Sequence, residues 1–232
     1  MDSDILIDAG TGVGDLSLAE LAGIDHIFLT HSHLDHVATI PFLVDTVGQM
    51  REKPVTVHAL PATIQILRNH IFNWSIWPDF TEIPSASNPS LRFEPIEVGE
   101  FAELAGRRIG ALPANHVVPA IGYQIDSGKG SLVFTGDTGV NEALWPIVNR
   151  IANLKYLIIE CAFCNREREL AHVAKHLCPS MLAEELAKLE RNVDIFITHL
   201  KPGEIELTMA EIEEYAGVFR PRMLQNNQVI EF

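Results

Sequence analysis

The chain has 232 residues, 47% of them hydrophobic, and a formal net charge of −14. That is enough apolar material for a sizeable core, and the acidic balance argues against a protein that grips long nucleic acid along its backbone. No apolar run approaches the ~18 residues of a membrane span, and the opening Met1-Asp2-Ser3-Asp4 lacks the basic and apolar regions of a secretion signal.

In chain order, Ile5-Leu6-Ile7 reads as a buried strand closed by the turn Asp8-Ala9-Gly10-Thr11-Gly12, whose glycine spacing does not fit a dinucleotide fingerprint. A short helix is expected over 16–21 and a strand over 24–29. The strand feeds T-H-S-H-L-D-H, residues 30–36, with three histidines and an aspartate inside six positions. His31 and His33 stand two apart, so an extended backbone aims both rings the same way, and Asp35 and His36 fall at the turn into a helix. Imidazole nitrogen and carboxylate oxygen suit Zn²⁺ and its transition-series neighbours. Helical spacing continues over 37–50, interrupted early by Pro41, then come a strand over 54–58 and a helix over 62–72.

Residues 73–84, N-W-S-I-W-P-D-F-T-E-I-P, form an irregular aromatic segment. Trp74, Trp77 and Phe80 offer a stacking face for a base, with a homodimer interface or a core lid as the other readings. Strands are expected over 91–93 and 108–112, then a hairpin over 121–125 and 132–135 joined by D-S-G-K-G. A helix over 143–151, a buried strand over 156–159 ending at Glu160, helices over 166–174 and 179–190, and a final apolar strand over 193–198 complete the pattern. Strands and helices mixed throughout, with no linker or repeat, predict one α/β layered domain over residues 1–232. Three cysteines, an odd number, suit a reducing cytoplasm; Cys161-x-x-Cys164 has no second pair for a zinc cage and reads as small buried hydrophobes.

His31, His116, Asp137 and His199 each follow an apolar strand-like run. Strand ends on one edge of a layered fold converge, and with His33, Asp35 and His36 these residues supply the ligands that two divalent ions sharing a carboxylate need.

The pattern H-x-H-x-D-H, a lone His, G-D and a late T-H resembles the metallo-β-lactamase-fold hydrolases over essentially the whole chain. The resemblance implies a four-layer αββα sandwich in which His31, His33 and His116 bind one metal, Asp35, His36 and His199 the second, and Asp137 bridges. Within that superfamily, H-S-H-L-D-H-V resembles the class II cyclic-nucleotide phosphodiesterases, with ribonuclease Z as their near relative. Thr39 departs from the pattern, where Gly or Ser is usual. E-C-A-F at 160–163 and A-H-V-A-K-H-L at 171–177 resemble the segment carrying an extra active-site histidine, here His176, with His172 as runner-up. Family members open with further strands before the D-x-G turn, so the first N-terminal strands are expected to be missing.

The function this implies is hydrolysis of a small anionic phosphodiester, foremost a 3′,5′-cyclic nucleotide, by attack of a metal-bound hydroxide. Zn²⁺ is the expected pair of ions, with Mn²⁺ or Fe²⁺ as alternatives. Asp35 would orient the hydroxide, and His176 would bind a phosphoryl oxygen or protonate the leaving group. Rival functions are ribonuclease Z-like processing, thioester or lactone hydrolysis, and a non-catalytic metal-binding role. The last is disfavoured because structural zinc cages are closed and cysteine-rich.

Overall fold

The structure is a computed structural model and describes residues 4–232. Residues 1–3, which carry most of the stretch read as lacking a secretion signal, lie outside the described residues. The chain divides into two compact units, residues 1–97 and 98–232.

The first unit is built on a parallel sheet. Strands β1 (Ile5–Ile7), β2 (His26–Phe28), β3 (Val55–Ala59) and β6 (Leu91–Pro95) lie in that order, each neighbouring pair parallel. Parallel neighbours need crossovers, which helices α1 (Leu18–Gly23), α2 (Leu34–Val37), α3 (Ile40–Val47) and α4 (Pro61–His70) provide. A two-strand hairpin, β4 (Pro84–Ser85) and β5 (Asn88–Pro89), closes the aromatic segment. Ile27, Val55, Val57 and Leu91 pack in one core with Ile40, Leu43, Val44 and Leu67 from the helices.

The helix expected over 37–50 divides differently. His36 and Val37 already belong to the single-turn α2, and Pro41 stands in the first turn of α3, where its missing N–H costs nothing. The short helix near residue 16 starts two residues later, because Ser17 and Glu20 form a reciprocal cap.

The second unit carries a mixed sheet. Its strands are β7 (Phe101–Leu104), β8 (Arg107–Pro113), β9 (Ile121–Asp126), β10 (Ser131–Phe134), β11 (Leu154–Glu160), β12 (Asp194–Thr198) and β13 (Arg222–Met223), adjacent in chain order. Pairing is antiparallel from β7 to β10 and parallel from β10 to β13. The strands β8, β10, β11 and β12 therefore run the same way, and their carboxyl ends share one edge. Helices α5 (Trp145–Val148), α6 (Arg168–Ala174), α7 (Pro179–Leu186) and α8 (Ile205–Ala216) complete the unit. Trp145, Leu182, Leu186, Ile212 and Ala216 join Leu157, Ile159, Ile195 and Ile197 in its core.

Four elements of this unit differ from expectation. β12 is not the last strand, since β13 follows α8, and α8 itself was not foreseen. The helix expected over 143–151 shortens to one turn flanked by i→i−3 bonds such as Leu144 N–H to Asn141 C=O and Arg150 N–H to Ile147 C=O. β7 escaped notice because only alternate residues are half-buried and Glu103 interrupts its apolar character. Among the described residues, no helix is long and apolar enough to cross a membrane.

Candidate metal centre

In the first unit the ligand-type residues follow β2. The rings of His31 and His33 lie 4.6 Å apart between centroids and those of His31 and His36 4.1 Å apart. Asp35 Oδ2 is 3.6 Å from His36 Nε2 and its side chain is exposed. His31 and His36 are buried and His33 is half-buried.

What holds this loop is Asp8, at the end of β1, the first residue of the D-x-G turn. β1 and β2 are parallel, so Asp8 and Thr30 emerge at the same sheet edge. Asp8 Oδ1 accepts the Thr30 backbone N–H at 2.7 Å, and Oδ2 accepts the Thr30 hydroxyl at 2.8 Å and His36 Nδ1 at 2.7 Å. The Thr30 hydroxyl spends its one hydrogen on Asp8, so at 2.9 Å from His31 Nδ1 its oxygen accepts. His31 and His36 are both fixed with hydrogen on Nδ1 and a lone pair on Nε2, the arrangement of a metal-ligating imidazole. Burial pushes the Asp8 carboxyl above its usual range, against the pull of His36 and Thr30.

Gly10 explains the D-x-G turn. A Cβ there would sit 1.8 Å from the Asp35 carbonyl oxygen, so only glycine lets the turn cradle the ligand helix. Thr39, the departure noted from sequence, donates its hydroxyl to the Gly10 carbonyl at 2.7 Å and fastens the same cradle.

In the second unit, His116, Asp137, Glu160 and His199 lie at or just beyond the carboxyl ends of β8, β10, β11 and β12, which share one edge. His199 Nε2 lies 3.4 Å from Asp137 Oδ2, about the spacing of two ligand atoms that each reach ~2.0–2.1 Å to one tetrahedral ion. His199 is held in the left-handed region at φ 62°. His116 Nδ1 donates to the Lys175 carbonyl at 3.1 Å, which puts the ring's lone pair on Nε2. His176 stacks on His199 with centroids 5.3 Å apart and meets His116 edge-on at 4.9 Å. Asp137, His176 and His199 each place a donor atom within 4.8 Å of the others.

Glu160, fully buried, organises this edge. Oε1 accepts the Thr138 N–H at 2.8 Å and His176 Nδ1 at 2.7 Å, while Oε2 accepts the N–H groups of Ala162 and Leu177, each at 3.2 Å. Burial pushes its carboxyl up against the opposing effect of His176. At His176 burial works to lower the pKa, but the bond to Glu160 and the charges of Glu160 and Asp137 outweigh it and raise it. His172, the runner-up, is exposed on α6.

The donor set fits divalent metal. It offers imidazole and carboxylate groups, with ring tautomers set by partners on Nδ1, whereas Cys161, Cys164 and Cys178 are buried, unbridged thiols outside every histidine–carboxylate cluster found among the described residues. Of the three aromatic residues proposed for stacking, Phe80 is buried in the first unit's core, Trp77 is half-buried against Phe42, and Trp74 is exposed.

Residues 3–200 match the Beta-lactamase superfamily domain. A probable 3′,5′-cyclic-nucleotide phosphodiesterase of Yersinia pestis is 27% identical over 78% of this chain and 58% of its own length. A ribonuclease Z of Halorubrum lacusprofundi is 32% identical over 53% of this chain and 38% of its own. In three dimensions the chain is similar to unliganded yeast PDE1, with a TM-score of 0.78 and 22% identity over 90% of this chain and 68% of that one. The chain thus spans little more than half the length of the Yersinia relative.

Proposed function

Since the chain belongs to the beta-lactamase superfamily, we propose that it is a metal-dependent phosphodiesterase acting on a small phosphodiester, foremost a 3′,5′-cyclic nucleotide. The observation that carries this reading is the buried Glu160–His176 pair beside Asp137 and His199. A ligand set alone serves many hydrolases; a carboxylate-oriented imidazole next to it supplies what an alkoxide leaving group requires.

His31, His33 and His116 would hold one ion, Asp35, His36 and His199 the other, with Asp137 shared. Family membership across both units and the Nδ1 partners of His31, His36 and His116 support this assignment. When bound, two divalent ions supply Lewis acidity and a nucleophile at neutral pH. Asp35, exposed beside His36, orients the attacking water. His176, with Nδ1 fixed on Glu160, presents Nε2 to a phosphoryl oxygen or the departing ribose oxygen. Stacking on the base falls to Trp74, whose ring is the most open of the three. Three unbridged thiols suit a reducing cytoplasm.

The ribonuclease Z relative supports a second reading, cleavage of precursor RNA. The net charge of −14 opposes it, because a long polyanion would meet unfavourable potential over much of the surface.

The test is turnover by the metal-loaded protein on cyclic AMP, cyclic GMP, bis(p-nitrophenyl) phosphate, a precursor transfer RNA, a lactone and a thioester. His176→Ala should lower cyclic AMP hydrolysis by ~10²–10⁴ with metal content unchanged. The activated diester, whose leaving group departs without a proton, should lose less. Equal losses would assign His176 to oxyanion stabilisation, and no loss on either substrate removes it from the site.

A further inference from the structure

Lys175 occupies an unusual place. It ends α6 in the left-handed conformation, φ 55° and ψ 52°, where glycine is the usual residue and a side chain is strained. Its backbone is approached so closely that a Cβ on Gly139 would lie 3.2 Å from the Lys175 Cα. Both of its polar ends turn to one residue. The main-chain carbonyl accepts His116 Nδ1 at 3.1 Å, and the ammonium donates to the His116 carbonyl at 2.9 Å. The next residue is His176, whose ring meets that of His116 edge-on.

We propose that Lys175 is a positioning residue that grips the ring and the backbone of His116 together and sets this ligand against His176. The inference rests on the reading of His116 as a metal ligand. The bent backbone directs the carbonyl at Nδ1 and thereby selects the tautomer with its lone pair on Nε2. The ammonium pins the His116 main chain through a charge-assisted bond to its carbonyl, and on that fixed backbone the ring cannot swing without breaking its own bond from Nδ1 to the Lys175 carbonyl. A residue that merely terminated a helix would be better as glycine; the lysine keeps the strain and adds the second grip.

The experiment compares Lys175→Gly, Lys175→Met and Lys175→Arg in the full chain. It reads Zn²⁺ affinity by competition with a chromophoric chelator and the thermal midpoint of the metal-free protein. Glycine relieves the left-handed strain and removes the ammonium, methionine removes the ammonium alone, and arginine keeps a cationic donor. We expect the glycine and methionine variants to bind the more weakly held ion about tenfold less tightly, and arginine to retain most of the affinity. The metal-free midpoint of the glycine variant should equal or exceed that of the parent. Unchanged affinity in both glycine and methionine variants overturns the proposal. So does a loss of affinity accompanied by a collapse of the metal-free fold in both, since the role would then be structural. His116→Ala separates the two levels. If it keeps two equivalents of metal, the metal reading falls and this role with it; if it loses metal while the Lys175 variants do not, only the role of Lys175 falls.

Discussion

The two units arrange similar chemistry around one carboxylate each, and the carboxylates have different clients. Asp8 in the first unit takes three donors, and the ring it orients, His36, is itself a proposed ligand. Glu160 in the second unit takes four donors, and the ring it orients, His176, lies outside the proposed ligand set. On the proposed assignment the same device, a strand-end carboxylate on an imidazole Nδ1, would serve metal holding in one unit and substrate chemistry in the other. The contrast separates binding from turnover, and substitutions can test it.

The largest effect is expected at the residue shared by both proposed sites. Asp137→Ala should reduce bound metal from two equivalents towards none, because each ion loses a ligand, whereas His33→Ala should weaken one. Metal analysis after gel filtration distinguishes the outcomes. Loss of a single equivalent in Asp137→Ala would assign that residue to one ion.

A smaller effect, and the sharper test of the contrast, comes from the two orienting carboxylates. Asp8 uses both oxygens, so Asn must turn an amide N–H₂ against either the Thr30 N–H or the Thr30 hydroxyl and His36. Asp8→Asn should weaken metal binding by ~10–100-fold. In Glu160→Gln the amide nitrogen faces either His176 and Thr138 or the N–H groups of Ala162 and Leu177. Metal content should stay near two equivalents while cyclic nucleotide turnover falls. If Glu160→Gln loses metal as Asp8→Asn does, His176 is a ligand, which its proximity to Asp137 and His199 would permit.

These positions also mark how far the sequence could be read. T-H-S-H-L-D-H was legible because its proposed ligands lie within one local stretch and need no fold to bring them together. His116, Asp137 and His199 were legible as a set only because each follows an apolar run, and the co-directed strands β8, β10 and β12 carry them to one edge. Asp8 and Glu160 were not recognised. A single carboxylate at a strand end looks like any turn residue, and what makes it an anchor is donors 22 to 28 residues away for Asp8 and, besides the nearby Ala162, 16 to 22 away for Glu160. Lys175 was less legible still, since the left-handed region is ordinarily announced by glycine. The aromatic segment was seen as a group, but burial divides it, placing Phe80 in the core and leaving Trp74 open.

The smallest predicted effect concerns stability and falls on the first unit. His58, on β3, is buried, stacked on Phe28 with centroids 4.2 Å apart, and bonded through Nε2 to His26 Nδ1 at 3.0 Å; Glu94 approaches its Nδ1 at 3.7 Å. Burial, assisted by the neighbouring His26, pushes its pKa down to about 4. In the unfolded chain the ring titrates near 6.5, so between these values the unfolded chain takes up a proton that the folded chain refuses. Stability therefore falls as pH drops through that window, and at pH 4 the difference approaches ~3 kcal/mol. The raised carboxyls of Asp8 and Glu160 and the raised imidazole of His176 work in the opposite direction and reduce the observed slope. Urea melts of the metal-free protein between pH 7 and 4 should show the decline, and His58→Phe, which keeps a ring against Phe28 but cannot be protonated, should flatten it. Hydrogen exchange assigns it: amides of β2 and β3 should lose protection before those of β11 and β12. Acid-driven loss appearing first in β11 and β12, or an unchanged slope in His58→Phe, would place the acid-sensitive group elsewhere.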